Sequence, residues 1–210
     1  MPSTAKNTRQ YHHGDLHNAL IVAAAELIEE RGSDDFAMID AARKAGVSSA
    51  APYRHFKDKE DLLAGVSDLA FWAFSSEIQE ILDHQAMGSR ECIIALGLRY
   101  VDFVSRHGAF FDLMWGGDRH LHAKDGLSGI MKQSGFSLFY SAVEAWVIAV
   151  GGAVEDAMDL AMKLWCMAHG TSALHMNGQL DYFSPGINTD ETLRSATESF
   201  LDGVEMQLKA

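Results

Sequence analysis

AARKAGVSSAAPYRHFKDKEDLL, residues 41–63, is the stretch whose reading decides the fold. Ala41, Ala42, Arg43 and Lys44 are strong helix formers, and they predict a short helix over about 38–45. Gly46 accepts the positive φ that a tight turn needs. Val47 gives that turn an apolar anchor. Ser48 can cap a following helix, expected through SAAPYRHF, residues 49–56. Pro52 falls early in it, where a missing N–H costs little. Upstream, Leu16, Leu20, Ala23, Leu27 and Ile28 form one apolar stripe, with Glu26, Glu29 and Glu30 opposite. A longer helix is expected to begin after Asp15, acting as its N-cap, and to stop at Gly32 with Arg31 in its last turn. Two short helices around a glycine turn, packed on a longer first helix, make a helix-turn-helix.

The second short helix carries a surface suited to nucleic acid. Tyr53 and His55 can donate hydrogen bonds to phosphates. Arg54 can pair with phosphate or read a guanine edge. Ser49 and Ala50 stand near the helix start, where base edges would be closest, and Ala50 could meet a thymine methyl group. Lys57 follows, and Lys59 opens the next helix, where a cation beside free helix N–H groups would clamp a phosphate. Phe56 is expected to anchor the segment in the core. Helical periodicity alone leaves an equal alternative, a solvated cap region on a helical bundle. The arm before residue 12 carries Lys6 and Arg9, which could reach phosphates or simply fray. His12 and His13 have no further ligands at metal-site spacing.

Charge argues mildly the other way. The 210 residues carry a formal net charge of −12. Residues 1–60 hold 8 Lys/Arg against 9 Asp/Glu, so the acidity sits in residues 61–210. A near-neutral head can touch DNA through a few placed cations, with weak non-specific binding.

The head resembles the TetR/AcrR family of bacterial transcription regulators. The resemblance rests on GDLHNALIVAAAELIEERG (14–32), the Gly46-Val47-Ser48 turn, Tyr53-Arg54-His55-Phe56, and Lys59-Glu60 with Leu62 and Leu63 behind them. It implies an all-α chain of about nine helices. A three-helix DNA-binding head (1–60) would join an effector-binding and dimerisation body (61–210). The resemblance implies backbone contacts from Tyr53, His55 and Lys59 and sequence-reading positions at Ser49 and Ala50; with the residue chemistry above, the candidate DNA contacts are Ser48, Ser49, Ala50, Tyr53, Arg54, His55, Lys57 and Lys59. Two departures stand out. Ala37 occupies a position where the family often has Ser or Thr, and losing that N-cap acceptor costs about 0.5–2 kcal/mol unless Asp34 or Asp35 compensates. Ile39, where a polar or basic residue is common, cannot bind phosphate.

Beyond the head, one long helix is expected over 60–84, physically connecting head to body. Others are expected from about 90 to His107-Gly108, over 109–115, over 126–149, over 153–177, and from Thr189 or Asp190 to the end. A polar, flexible segment is expected up to about 125. The family resemblance implies a homodimer through the helices near 153–177 and 190–208, meeting a near-palindromic double-stranded operator. Repression is the commoner outcome in that family. Trp165, His169 and Gly170, in LWCMAHG, resemble a subgroup with a tryptophan-histidine-glycine signature in its C-terminal domain.

Aromatic and Met residues gather in the body, where a cavity between helix centres could hold a small, largely apolar effector. The candidates are Tyr100, Phe103, His107, Phe111, Trp115, Phe139, Tyr140, Trp165 and His169, although such a stripe is more often ordinary core. Cys92 and Cys166 both fall in helical apolar patterns and read as buried thiols. Neither a Gly-rich phosphate loop nor an HExxH motif is present, so an enzyme, a metal site or a cofactor is not expected. Without an apolar leader or an uncharged run long enough to span a bilayer, a cytoplasmic protein off the membrane is the expectation. The competing reading is a helical interaction or small-molecule-binding protein derived from this fold, with weak or lost DNA binding.

Overall fold

The computed structural model describes residues 13–116 and 135–208, and every described element is helical. The chain divides into two compact units, Met1–Ser67 and Asp68–Ala210. Nine α-helices occur among the described residues, as the all-α expectation requires.

In the first unit α1 runs His13–Arg31, so Asp15 lies in its first turn and is not its N-cap. A carboxylate suits the N-terminal dipole in either place, so residue type alone does not locate the helix start. Leu20, Ala24 and Ile28 are fully buried along one face, and Gly32 ends the helix. Helix α2 spans Met38–Lys44 and packs against α1. Its N-cap is Ala37, with no side-chain acceptor. The compensation comes from inside the helix. Asp40 accepts the Ala37 N–H at 3.0 Å, half of a capping box. That bond, with the Arg31 and Arg43 guanidinia nearby, holds the Asp40 carboxyl below its ordinary pKa.

Helix α2 ends in a Schellman motif. Gly46 N–H donates to Arg43 O (3.1 Å) and Val47 N–H to Ala42 O (2.9 Å), with Gly46 at φ +72°. Helix α3, Lys59–His84, starts in this unit and continues into the second. Near its start Gly65 faces α1 so closely that a Cβ there would stand 2.8 Å from the Ile21 side chain. This close approach is the packing reason for a glycine inside a helix.

The second unit is built on α4 (Arg90–Arg106), α6 (Phe136–Ala149), α7 (Ala157–Met176) and α9 (Thr189–Leu208). Helix α7 packs against the other three, and α4 against α6 and α9. Ser89 caps α4 by accepting the Cys92 N–H at 3.1 Å. Their shared core holds Ile93, Val143, Trp146, Val147, Leu164 and Leu201. Arg90 ties α4 to α9 through Asp202 (2.7 Å) and Glu205 (3.1 Å). The short α5 is Phe111–Trp115. One element was not expected from the sequence, α8 at Gln179–Phe183, which ends in the exposed aromatics Tyr182 and Phe183. Cys92 is buried as expected, but Cys166 is exposed. The helix expected over 126–149 is seen from Phe136; residues 126–134, the polar segment from 117 to 125, and the arm before residue 12 lie outside the described residues.

Candidate nucleic-acid interface and ligand cavity

The segment expected as a recognition helix over 49–56 is shorter and tighter. After a turn closed by Ala51 N–H to Ser48 O (2.9 Å), a single 3₁₀ turn covers Pro52–Arg54. His55 and Phe56 N–H then both donate to Pro52 O, at 2.9 Å each. Pro52 and Phe56 are buried, and Phe56 stacks on His17 of α1 with ring centroids 4.6 Å apart. These two anchors turn Tyr53 and Arg54 outward. Tyr53 is 63% exposed, Arg54 and Lys57 are exposed, and His55 is half-buried. Ser48, Ser49 and Ala50 are exposed beside them.

The cations of this unit divide sharply. Arg31 donates to Asp35 O at 2.7 Å and lies 3.5 Å from Asp40. Arg43 pairs with Asp40, and Lys44 with Glu26 and Glu30. Lys59 donates to the carbonyl of Asp34 and sits 4.9 Å from the centroid of Phe36. Arg54 and Lys57 have no side-chain partner among the described residues. Both stand on the outward turn.

The start of α3 departs from the sequence expectation of free N–H groups. Asp58 Oδ1 accepts the Asp61 N–H at 2.9 Å, and Asp61 Oδ2 accepts the Lys57 N–H at 3.0 Å. Two carboxylates already serve the positive helix end. Lys59 braces the α1–α2 connection, a role that long-range packing alone reveals. Removing a charged donor from a part-buried hydrogen bond costs about 1–3 kcal/mol. Lys59→Ala is therefore expected to lower the melting temperature measurably. A variant that loses operator affinity with an unchanged melting curve would instead make Lys59 a direct phosphate contact.

In the second unit a cavity of about 40 Å³ opens among α3, α4, α5, α6, α7 and α9. By a measure in which one water needs about 10–15 Å³, it has room for roughly three. Tyr100, Trp115, Phe139 and Trp165 line it, as the sequence suggested. Phe74, Ile78, Gly97, Phe136, Leu193 and Thr197 are also in the wall. Gly97 and Thr197 escaped the sequence reading because neither interrupts an apolar helical face. His169 and Phe111 stand one layer behind. The His169 Nδ1 shares a 2.7 Å hydrogen bond with the Tyr100 hydroxyl, and its ring stacks on Phe111 at 5.1 Å. Burial pushes the Tyr100 hydroxyl well above the ordinary phenol range and holds His169 below the usual imidazole value. Both are uncharged at neutral pH. The Trp115 Nε1 is buried with no hydrogen-bond partner among the described residues. Phe103 packs on Phe74 behind the wall. His107 sits at the α4 C-cap beside Arg106, and the Tyr140 hydroxyl donates to Glu144 at 2.8 Å. Neither is brought into the cavity.

Two family models match this arrangement. Residues 20–66 match "Bacterial regulatory proteins, tetR family" and residues 93–200 match "Tetracyclin repressor-like, C-terminal domain". The chain belongs to the TetR family. It is a transcription regulator of that family, whose members are typically DNA-binding proteins without enzymatic activity. Among solved structures, a Rhodococcus sp. RHA1 protein of unknown function is similar at 29% identity and TM-score 0.76, over 93% of this chain and 98% of that one. The TetR-family regulator PfmR of Thermus thermophilus shares the fold at 21% identity and TM-score 0.57, over 85% and 94%. No curated protein matches the regulator. No helix among its described residues is long and apolar enough to cross a membrane.

Proposed function

We propose that this regulator binds a near-palindromic operator as a homodimer and changes its DNA affinity when a small effector fills the cavity of the second unit. The observation that carries the DNA half is the partition of cations. Four of the six described Lys and Arg residues in the first unit are satisfied within it, while Arg54 and Lys57, beside exposed Tyr53, have no side-chain partner among the described residues. Phosphates are the natural partners of such groups. Tyr53, Arg54, His55 and Lys57 supply the backbone contacts. Ser48, Ser49 and Ala50 lie where base edges would approach, and Lys59 braces the α1–α2 connection. Exposed Ile39 (45%) adds no charge. We read the protein as a cytoplasmic repressor, the commoner mode in this family.

The dimer reading rests on the outward line of α7. Met158, Met162, Cys166 and Gly170 follow at four-residue spacing, and Met158 and Met162 are 39% and 40% exposed. Leu174 on α7 and Met206 on α9 extend the apolar surface. Two such helices from each subunit would bury it. Light scattering is expected to give twice the 23.0 kDa chain mass at micromolar concentration; a monomer mass would end the two-headed reading. Trp165, His169 and Gly170 on the same helix support placement in the tryptophan-histidine-glycine subgroup.

Coupling has a physical route. The cavity touches α3 at Phe74 and Ile78, and α3 runs unbroken from Lys59. A ligand that moves those two side chains biases the helix, and it shifts DNA affinity only by its differential affinity for the two states. Selection of bound fragments from genomic DNA tests the whole proposal. A shared inverted repeat is the expected result, and fragments with no common sequence would overturn it.

A further inference from the structure

We infer that Tyr182 and Phe183, displayed on the turn between α7 and α9, dock on the α7–α9 face of a second copy of this chain. The inference rests on the homodimer reading and names the contact that secures it.

The two rings are the most exposed large apolar side chains among the described residues, at 79% and 82%. Single apolar side chains on a surface are ordinary, whereas two adjoining aromatics form a patch. Their ring centroids lie 5.1 Å apart, edge to face. The turn that carries them is held by its own hydrogen bonds. Gly178 opens it at φ +67°, and Ser184 N–H donates to Leu180 O at 2.9 Å. Asp181 Oδ1 accepts the Gly186 N–H, also at 2.9 Å. A 3.1 Å hydrogen bond between Thr189 Oγ1 and His175 Nδ1 ties the flanking helices together at its base. A knob ordered in advance loses little conformational entropy on docking.

Position, area and charge together make the occupant a second copy. The turn joins the two helices whose outward faces carry the dimer reading. Leu174 and Met176 are exposed in the last turn of α7, so the apolar surface of that helix continues into the turn. A stable interface needs about 800 Å² from each partner. Met158 and Met162 are each less than half exposed, so the line of α7 supplies only part of that area. A buried aromatic side chain contributes about 150–250 Å², and the pair therefore adds roughly 300 Å². Residues 61–210 hold 9 Lys/Arg against 20 Asp/Glu, which disfavours nucleic acid or an anionic lipid surface on this part of the chain. Two such acidic bodies also repel each other, and apolar area has to overcome that repulsion.

The test uses the full-length protein. Sedimentation equilibrium gives the wild-type mass first, and a monomer ends the homodimer reading and this inference with it. With a dimeric wild type, replacing Tyr182 and Phe183 together with Ser is expected to raise the dimer dissociation constant at least tenfold, as for central aromatic anchors. The circular dichroism spectrum should stay unchanged, since both side chains are exposed. Phe183→Trp keeps an aromatic ring and should retain the wild-type constant. An unchanged constant in the double Ser variant leaves the dimer standing and overturns the docking of the rings. Benzoylphenylalanine placed at position 183 reads the contact directly. Irradiation is expected to give a covalent dimer joined to the partner within residues 157–208. A dimer joined outside that range, or no interchain product, leaves the knob to another occupant and overturns the inference.

Discussion

Replacing Arg54 and Lys57 together with Ala is expected to weaken operator binding about a hundredfold for each half-site and leave the melting curve of the protein in place. The reasoning starts from what each side chain does in the free protein. Neither has a side-chain partner among the described residues, so truncation removes no intramolecular bond. A charge-assisted contact to phosphate worth about 1.4 kcal/mol is a factor of about ten in affinity, and the two contacts of one subunit make about a hundred for each half-site. Salt gives an independent readout. Each lost phosphate contact should flatten the dependence of log K on log salt by about 0.9. The double variant should thus lose nearly two units of slope for each half-site, nearly four for the dimer. Tyr53→Phe removes only the hydroxyl and is expected to cost a further factor of a few, while the exposed ring stays in place. Arg54→Lys separates two roles. A phosphate contact survives a change of cation, whereas a forked contact to guanine does not, and its loss relaxes selection at one operator position. An unchanged affinity and salt slope in the double variant would remove this turn from the interface.

Why the glycine turn and its apolar anchors were legible, and the hydrogen bond of Lys59 was not, follows from the range of the interactions involved. Gly46-Val47-Ser48 announces its turn locally, since the Schellman bonds join residues within one helical turn. Phe56 and Leu62 declare their burial by apolar spacing. The fate of Lys59 depends on Asp34 and Phe36, over twenty residues away, and no periodicity records that meeting. The free helix N-terminus expected at α3 is likewise served by Asp58, which accepts the Asp61 N–H. One turn of 3₁₀ and one turn of α-helix differ by less than residue pattern can resolve, so Pro52–Arg54 was expected as a full helix. In the body, helix existence was clear from the apolar stripes. Exposure of Cys166 and the presence of Gly97 on a cavity wall were not, because an apolar stripe does not say which of its members meet another helix and which meet empty space.

The body offers the largest stability effect. Trp146 is 1% exposed at the centre of the core shared by α4, α6, α7 and α9. Trp146→Ala is expected to cost about 3–5 kcal/mol, from lost burial and the cavity left behind. Against a total of about 5–15 kcal/mol for a domain, that is enough to shift the urea midpoint of unfolding strongly. The Phe variant separates volume from polarity. The Trp146 Nε1 is buried and has no hydrogen-bond partner among the described residues. An unsatisfied donor of this kind carries a penalty of about 1–3 kcal/mol, which Phe would relieve while filling much of the ring's space. Trp146→Phe is therefore expected to lose less than half of what Trp146→Ala loses. Urea titrations followed by circular dichroism give the ranking directly. Equal destabilisation by Phe and Ala would mean that the indole N–H is satisfied in solution, by a buried water for instance, and that its hydrogen bond rather than its bulk holds this core together.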